Sequence, residues 1–278
     1  MAIKRLKPTT NGRRLMTTQD FDAITTKKPV KSLVSRKMQT AGRNNQGRIT
    51  SRHRGGGAKK FARNVNFNLP EGAYEVREIE YAPDRTARLA RVQHENGDLH
   101  YMVAPRNVEK GGKIEVGAGV AVEAGNRMAL REIPLGSSIH NIEITAGRGG
   151  QMVRSAGTSA TLTAKDGDHA LVRMPSGEVR KFRLENKATL GLVGNEQHQN
   201  IKIGQAGRKR HMGIRPQTRG RAMNAVDHPN GGGDGGAGSH RGIGRTPWGQ
   251  IALGKKTRSR KSTDKMIVRS RHQAKRRK

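Results

Sequence analysis

Ala87-Arg88-Leu89-Ala90-Arg91-Val92-Gln93 and Leu99-His100-Tyr101-Met102-Val103 flank Glu95-Asn96-Gly97-Asp98. Two β-prone runs joined across Asn-Gly form the strongest short-range hairpin signal, because tight hairpin turns favour residues that accept positive φ. Both turn positions, Asn96 and Gly97, are expected to take it. Working outward, residues 74–81 are β-prone, and their alternation breaks around Glu78, the mark of a bulge. Lys113-Ile114-Glu115-Val116 is a further short strand, after which Gly117, Gly119 and Gly125 suggest a boundary. A second β-unit follows. Residues 139–144 read as one strand, and residues 159–164, 169–174 and 178–184 as a meander turning at Lys165-Asp166-Gly167-Asp168 and Pro175-Ser176-Gly177. Short strands with turns every ~8–12 residues point to small barrels or sandwiches. The fold class is mainly β, with two barrels of about 65 residues each.

Charge separates this core from the rest. The chain has 278 residues and a formal net charge of +33. Residues 1–60 carry 16 basic and 2 acidic residues, residues 61–200 carry 18 and 17, and residues 201–278 carry 21 and 3. The middle tolerates its own field, whereas the ends repel themselves and call for an anionic partner. The apolar fraction, 32%, is low for a chain that buries its whole length. Residues 1–60 show no sustained apolar period, and the Gly-rich run from Ala41 to Gly57 has poor helix propensity. Such an arm is either a solvated tail or a segment that orders on RNA, and its density of Arg with Gly and Asn favours the second. Residues 201–278 hold 14 glycines and one aromatic, Trp248. Met266-Ile267-Val268 is an apolar run suited to a local anchor, and Arg269 to Lys278 is a basic tail. Six of the eight aromatics (Phe61, Phe67, Tyr74, Tyr81, Tyr101, Phe182) lie in the middle, where core packing is favoured over base stacking.

The chain has no cysteine, which removes disulfides and Cys-based zinc sites. Its first residues lack the apolar stretch of a signal peptide, and no run approaches the ~20 apolar residues of a membrane span. A soluble intracellular protein is expected. Lys and Arg neutralise phosphates and release counterions. Arg also stacks on bases and bridges phosphates. Glycine lets backbone N–H groups approach closely, and Asn, Gln and His can bond bases and the ribose hydroxyl. This mixture suits crevices of a folded RNA better than duplex DNA, the target of a chromatin-like binder.

Four features resemble enzyme motifs. Gly249-Gln250-Ile251-Ala252-Leu253-Gly254-Lys255-Lys256 nearly matches a P-loop, but Lys256 replaces the required Ser/Thr and no helix pattern follows. Gly147-Arg148-Gly149-Gly150 lacks a complete dinucleotide fingerprint and reads as a loop facing RNA. The ten histidines lack paired metal-ligand spacing. Asp227 and His228 are adjacent and precede Pro229-Asn230-Gly231-Gly232-Gly233, where three glycines would bring the backbone close to a partner. No nucleophile is placed by spacing, so an RNA-contacting loop is favoured over catalysis.

At this point the motifs resemble a family. Gly42-Arg43-Asn44-Asn45-Gln46-Gly47-Arg48-Ile49-Thr50, Arg52-His53 and Gly55-Gly56-Gly57 are similar to the N-terminal signature of the universal second protein of the large ribosomal subunit, in its bacterial form. So are Ile139-His140-Asn141-Ile142-Glu143, Gly149-Gly150-Gln151, Arg154-Ser155-Ala156-Gly157-Thr158, Arg219-Gly220-Arg221-Ala222-Met223-Asn224, Val226-Asp227-His228-Pro229, Gly231-Gly232-Gly233, Thr246-Pro247-Trp248-Gly249 and Gly254-Lys255-Lys256-Thr257-Arg258. They run through the chain in the family's order. The resemblance implies an OB-fold-like RNA-binding barrel over residues 61–125 and an SH3-like barrel over residues 126–200. It also implies irregular basic extensions over residues 1–60 and 201–278. These would enter large-subunit (23S) rRNA near the subunit interface and the peptidyl-transferase region. The implied role is that of a cytoplasmic, ribosomal structural constituent supporting subunit association, tRNA binding and peptide-bond formation. The implied partners are that rRNA, neighbouring large-subunit proteins and the small subunit, with no membrane and no homo-oligomer.

The residues assigned to rRNA in the first arm are Arg43, Asn44, Asn45, Arg48, Arg52, His53, Arg54, Gly55, Gly56, Lys59 and Lys60. The core contributes Arg148, Gln151 and Arg154. The second arm contributes Arg208, Lys209, Arg210, Arg215, Arg219, Arg221, Asn224, His228, Asn230, Gly231, Gly232, Trp248, Lys255, Lys256 and Arg258. No catalytic residue, metal ligand or cofactor is expected beyond Mg²⁺ bridging to phosphates. The family's loop reads His-Pro-His-Gly-Gly-Gly, and has been discussed as a functional element near the peptidyl-transferase centre. This chain has Asn230 in place of the second histidine and Ala225 where proline is usual. His228 therefore carries an RNA-positioning role. The competing reading is an RNA-linked catalyst using Asp227 and His228.

Overall fold

The computed structural model describes residues 3–233, 243–259 and 261–275; the last three residues of the basic tail lie outside them. The fold is mainly β, with two short helices, Ala206–His211 and Arg271–Lys275, among the described residues. No helix there is long and apolar enough to cross a membrane. Two compact units form: Met1–Met38, Lys59–Arg208 and Asp264–Lys278 make one, and Gln39–Ala58 with Lys209–Thr263 makes the other.

The first unit contains the decisive hairpin. Strand Leu89–His94 pairs antiparallel with Leu99–Val103, placing Leu89 opposite Val103 and Arg91 opposite Tyr101. The turn differs from expectation at one position. His94 O accepts the N–H of Gly97 at 2.8 Å and His94 N donates to Asp98 O at 2.9 Å. Gly97 alone in the turn has positive φ, at 89°. The loop is longer than a two-residue turn, so one left-handed residue suffices to bring the strands back together. Strand Gly72–Glu80 lies on the other side of Leu89–His94, with the register shift between Val76 and Glu78 where the broken alternation placed it. Arg77 is the extra residue, and beyond it both Ile79 and Glu80 are buried.

The sheet continues from Gly72–Glu80 through Lys113–Val116 and Arg127–Ala129 to Lys187–Leu190, Ser138–His140, Ala160–Asp166, His169–Arg173 and Val179–Arg183. Each half has its own core. Tyr74, Val76, Val92, Met102, Ile114 and Val116 fill one. Met128, Ile139, Ile142, Leu162, Val172, Phe182 and Leu190 are prominent in the other. Each fully buried side chain of this size contributes about 1.5–3 kcal/mol. Of the middle aromatics, Tyr74, Tyr101 and Phe182 are buried, whereas Phe61 and Tyr81 are exposed. Strand Ile267–Arg269 adds to the edge of Val179–Arg183, so the Met266-Ile267-Val268 run is a local anchor as expected. It also covers an unpaired edge.

Residues 139–144 are two strands and not one. Ser138–His140 stays in the large sheet, and Ile142–Glu143 leaves it to pair with Gly150–Met152. Asn141 between them is left-handed, with φ 50°. A single left-handed residue redirects the chain, and Asn tolerates it better than most. The N-terminal arm also contributes to this unit. Val30 and Leu33 pack on Leu89 and Tyr101, Val30 N donates to Tyr101 Oη at 3.0 Å, and strand Val34–Arg36 pairs with Phe61–Arg63. A few isolated anchors leave no periodic trace.

His140 is buried, and Gly191 O lies 2.9 Å from its Nδ1. Burial pushes its pKa down to about 4, with the Arg127 charge adding to the effect and the Gly191 contact opposing it. The unfolded chain therefore binds the proton first as pH falls below about 6.5. Stability is complete above that pH and falls by about 3 kcal/mol as pH reaches 4. Urea unfolding should show this loss, and His140→Asn should remove most of it.

Candidate nucleic-acid interface

The second unit joins segments that the sequence leaves far apart. Gly55 N donates to Gly213 O, Ala58 N to His211 O and Arg215 N to His53 O, each at 2.9 Å. Pro216 O lies 2.9 Å from His53 Nδ1. Gly57 packs so closely that a Cβ would stand 2.9 Å from Gly213 Cα. Arg54 and Arg215 are exposed on this pairing. The Arg210 guanidinium lies over Gly56, and its Nη1 is buried without a hydrogen-bond partner.

Residues 42–51 close into a small hairpin. Thr50 N and Ser51 N both donate to Gly42 O at 3.0 Å. Asn44 Oδ1 accepts from Gln46 N at 3.1 Å and Arg48 N at 2.9 Å. Arg43 Nη1 donates to Gly47 O at 2.9 Å. The amide of Asn44 thus organises the turn, while Asn45, Arg48, Arg52 and the outer guanidinium of Arg43 face solvent. A second hairpin spans residues 244–252 and carries Trp248 at its tip, 77% exposed, with the Arg52 guanidinium 5.5 Å from the ring centroid. The P-loop-like segment belongs to this hairpin and to irregular chain after it, without the strand-loop-helix setting. Lys255, Lys256 and Arg258 are exposed there.

The loop containing His228 folds on itself. His228 is buried, and any Cβ at Gly220 would overlap its ring. Asn230 N donates to His228 Nδ1 at 3.0 Å, so that nitrogen is an unprotonated acceptor and the ring proton sits on Nε2. Gly231 N donates to His228 O at 2.8 Å and Gly232 N to Met223 O at 2.9 Å. A Cβ at Gly231 would overlap Asn224 O, and one at Gly232 would stand 2.8 Å from the Ala225 Cβ. These two glycines serve the loop's own packing. Arg219, Arg221 and Asn224 are exposed around the loop.

Two family models match the chain. One, Ribosomal Proteins L2, RNA binding N-terminal domain, matches residues 30–116. The other, Ribosomal Proteins L2, C-terminal domain, matches residues 123–249. The chain belongs to the ribosomal protein L2 family. It is a structural, RNA-binding component of the large subunit of the cytoplasmic ribosome, and acts in translation. The two L2 matches leave residues 117–122 between them.

Most of the remaining residues expected at the site lie in the first unit of this L2 chain. Arg148 is exposed on the loop between Ile142–Glu143 and Gly150–Met152, and Gln151 lies half-buried beside it. The Arg154 guanidinium sits 4.2 Å from the Phe67 centroid, and Arg85 sits 4.9 Å from the same ring. Burial, then the Arg85 charge, pull Arg154 below its ordinary pKa, so an anion there would relieve the repulsion. Arg208 is tied inward, its Nη1 donating to Ile203 O at 3.3 Å and Thr17 O at 3.4 Å, which suits a brace. Lys59 is exposed and Lys60 half-buried beside the Phe61–Arg63 strand; Lys209 is exposed in the second unit. Sequence reasoning missed Arg85 and Arg245. Only tertiary packing brings Arg85 to Phe67. Arg245, whose Nη1 donates to Gly249 O at 2.9 Å, had a signal in the spacing of the residues around it.

Proposed function

We propose that this chain binds 23S rRNA near the subunit interface and the peptidyl-transferase region, and there supports subunit association, tRNA binding and peptide-bond formation without catalysing it. The observation that carries the reading is the second unit, where residues 39–58 and 209–263 hold 16 basic and 2 acidic residues. Such a charge excess around a glycine-packed frame favours phosphate contact over a protein partner. The residues proposed at the interface are those exposed on that unit together with Arg148, Gln151 and Arg154. An OB-like first barrel and an SH3-like second barrel would present them, with neighbouring large-subunit proteins and the small subunit as further partners. Large ribosomal subunits purified from cells expressing this chain should contain it. Subunits lacking it, with the protein recovered elsewhere, would overturn the reading.

The competing reading makes His228 a proton-transfer group. Its Nδ1 is occupied by the Asn230 N–H and its ring is covered by Gly220, which suits a loop-organising role. Ribosomes assembled with His228→Gln should therefore form peptide bonds at near-normal rate in single-turnover assays. A loss of several orders of magnitude with intact assembly would favour the catalyst.

A further inference from the structure

Two segments almost two hundred residues apart share one pattern and one geometry. Gly42-Arg43-Asn44-Asn45-Gln46-Gly47-Arg48-Ile49-Thr50 and Gly244-Arg245-Thr246-Pro247-Trp248-Gly249-Gln250-Ile251-Ala252 align without a gap and have Gly, Arg, Gly and Ile at matching positions. Arg43 bridges Ile49, and Arg245 bridges Ile251, antiparallel in both. Asn44 N donates to Arg48 O at 2.9 Å, and Thr246 N to Gln250 O at 2.8 Å. Gly47 N donates to Asn44 O at 3.1 Å, and Gly249 N to Thr246 O at 2.9 Å. Each arginine sends Nη1 to the carbonyl of the second glycine, at 2.9 Å in both hairpins. Those glycines have φ 76° and 77°, and a Cβ at either would meet nothing within 4 Å, so the left-handed backbone alone requires them.

The position after the arginine differs, yet its role is kept. Asn44 Oδ1 accepts from Arg48 N at 2.9 Å, and Thr246 Oγ1 accepts from Gln250 N at 3.2 Å. The frame is therefore common, and it holds the two tip residues outside it. In the first hairpin these are Asn45 and Gln46, both exposed; in the second they are Pro247 and the 77% exposed Trp248. Residues 243–263 include no acidic residue, and Arg52 places a cation over the indole. An exposed aromatic in a basic setting fits a nucleobase better than the apolar pocket of a protein.

We propose that these segments are two copies of one RNA-binding hairpin with a shared frame and different tips: Trp248 stacks on an unpaired nucleobase, and Asn45 and Gln46 hydrogen-bond base edges or ribose hydroxyls. The proposal rests on the reading that the chain binds rRNA. Trp248 is the only tryptophan, so intrinsic fluorescence reports its tip alone. Titrating the full chain with large-subunit rRNA should quench that emission. Trp248→Ala should weaken binding about tenfold with an unchanged salt slope, and Trp248→Phe should keep most of the affinity. Binding that persists without quenching, with Trp248→Ala unchanged, would overturn the stacking while leaving the rRNA reading intact; so would an indole shift seen only when a neighbouring protein is added. A chain that binds rRNA no better than duplex DNA would overturn both. Exchanging the tips by Asn44→Thr, Asn45→Pro and Gln46→Trp with Thr246→Asn, Pro247→Asn and Trp248→Gln tests the shared frame. The exchanged chain should melt like the parent and bind rRNA more weakly; unfolding, or unaltered affinity, would overturn the duplication.

Discussion

Glu143→Ala should lower the unfolding free energy by about 3–5 kcal/mol. The carboxylate is fully buried, and Arg127, its partner at 2.8 Å, is 2% exposed. Burial pulls the Arg127 pKa down and the Glu143 charge holds it up. Removing the carboxylate leaves a guanidinium in a low dielectric with only Asn141 O, at 2.9 Å, to accept from it. The loss extends beyond the pair. Glu143 Oε2 also accepts from Lys187 N at 3.0 Å and Gly147 N at 3.3 Å, so two backbone donors lose their acceptor. Urea unfolding measures the cost directly. The double variant Arg127→Met, Glu143→Leu should lie much closer to the parent, because neither charge is then buried alone. A Glu143→Ala cost below about 1 kcal/mol would show that the pair is solvated. Since Gly147 lies within the turn from Thr145 to Arg148, the single variant should also weaken rRNA binding, against the direction of its charge change.

Replacing Arg48, Arg54, Arg215 and Arg219 by Gln should flatten the dependence of log affinity on log salt by about 3 units, and weaken rRNA binding about a thousandfold at 0.1 M salt. All four are exposed in the second unit. Each phosphate neutralised releases about 0.7–0.9 of a counterion, so the slope counts contacts independently of the affinity. A matched set on the first unit, Lys113, Arg131, Arg173 and Arg183 to Gln, removes the same charge from exposed positions. That set should leave the slope nearly unchanged. Equal effects of the two sets would mean that net charge alone, and not the second unit, governs binding.

The sequence revealed features whose causes are local. The Leu89–His94 and Leu99–Val103 strands were legible because the alternation and Asn96-Gly97 lie within one short window. The bulge at Arg77 was legible because the extra residue breaks a period of two. Residues 139–144 misled because the break is a left-handed φ at Asn141, which leaves no mark in hydrophobicity. The Asn230 departure was visible at once, but the meaning of His228 depended on Gly220 lying against its ring. The pairing of Arg85 with Arg154 was invisible in the sequence because a ring shared by the two is a fact of packing.

Taken alone, the sequence determined a β-rich, nearly neutral middle between two basic arms, and through its motifs the family. Backbone propensity and charge are properties of residues and short windows, and they survive being read in one dimension. Only the tertiary structure decided that the two arms meet. The hydrogen bonds from Gly55 to Gly213 and from Arg215 to His53 link residues more than a hundred positions apart, through backbone atoms that every residue possesses. A pairing carried by main chain and permitted by glycines has no side-chain pattern to announce it, so it appears only when the chain is folded.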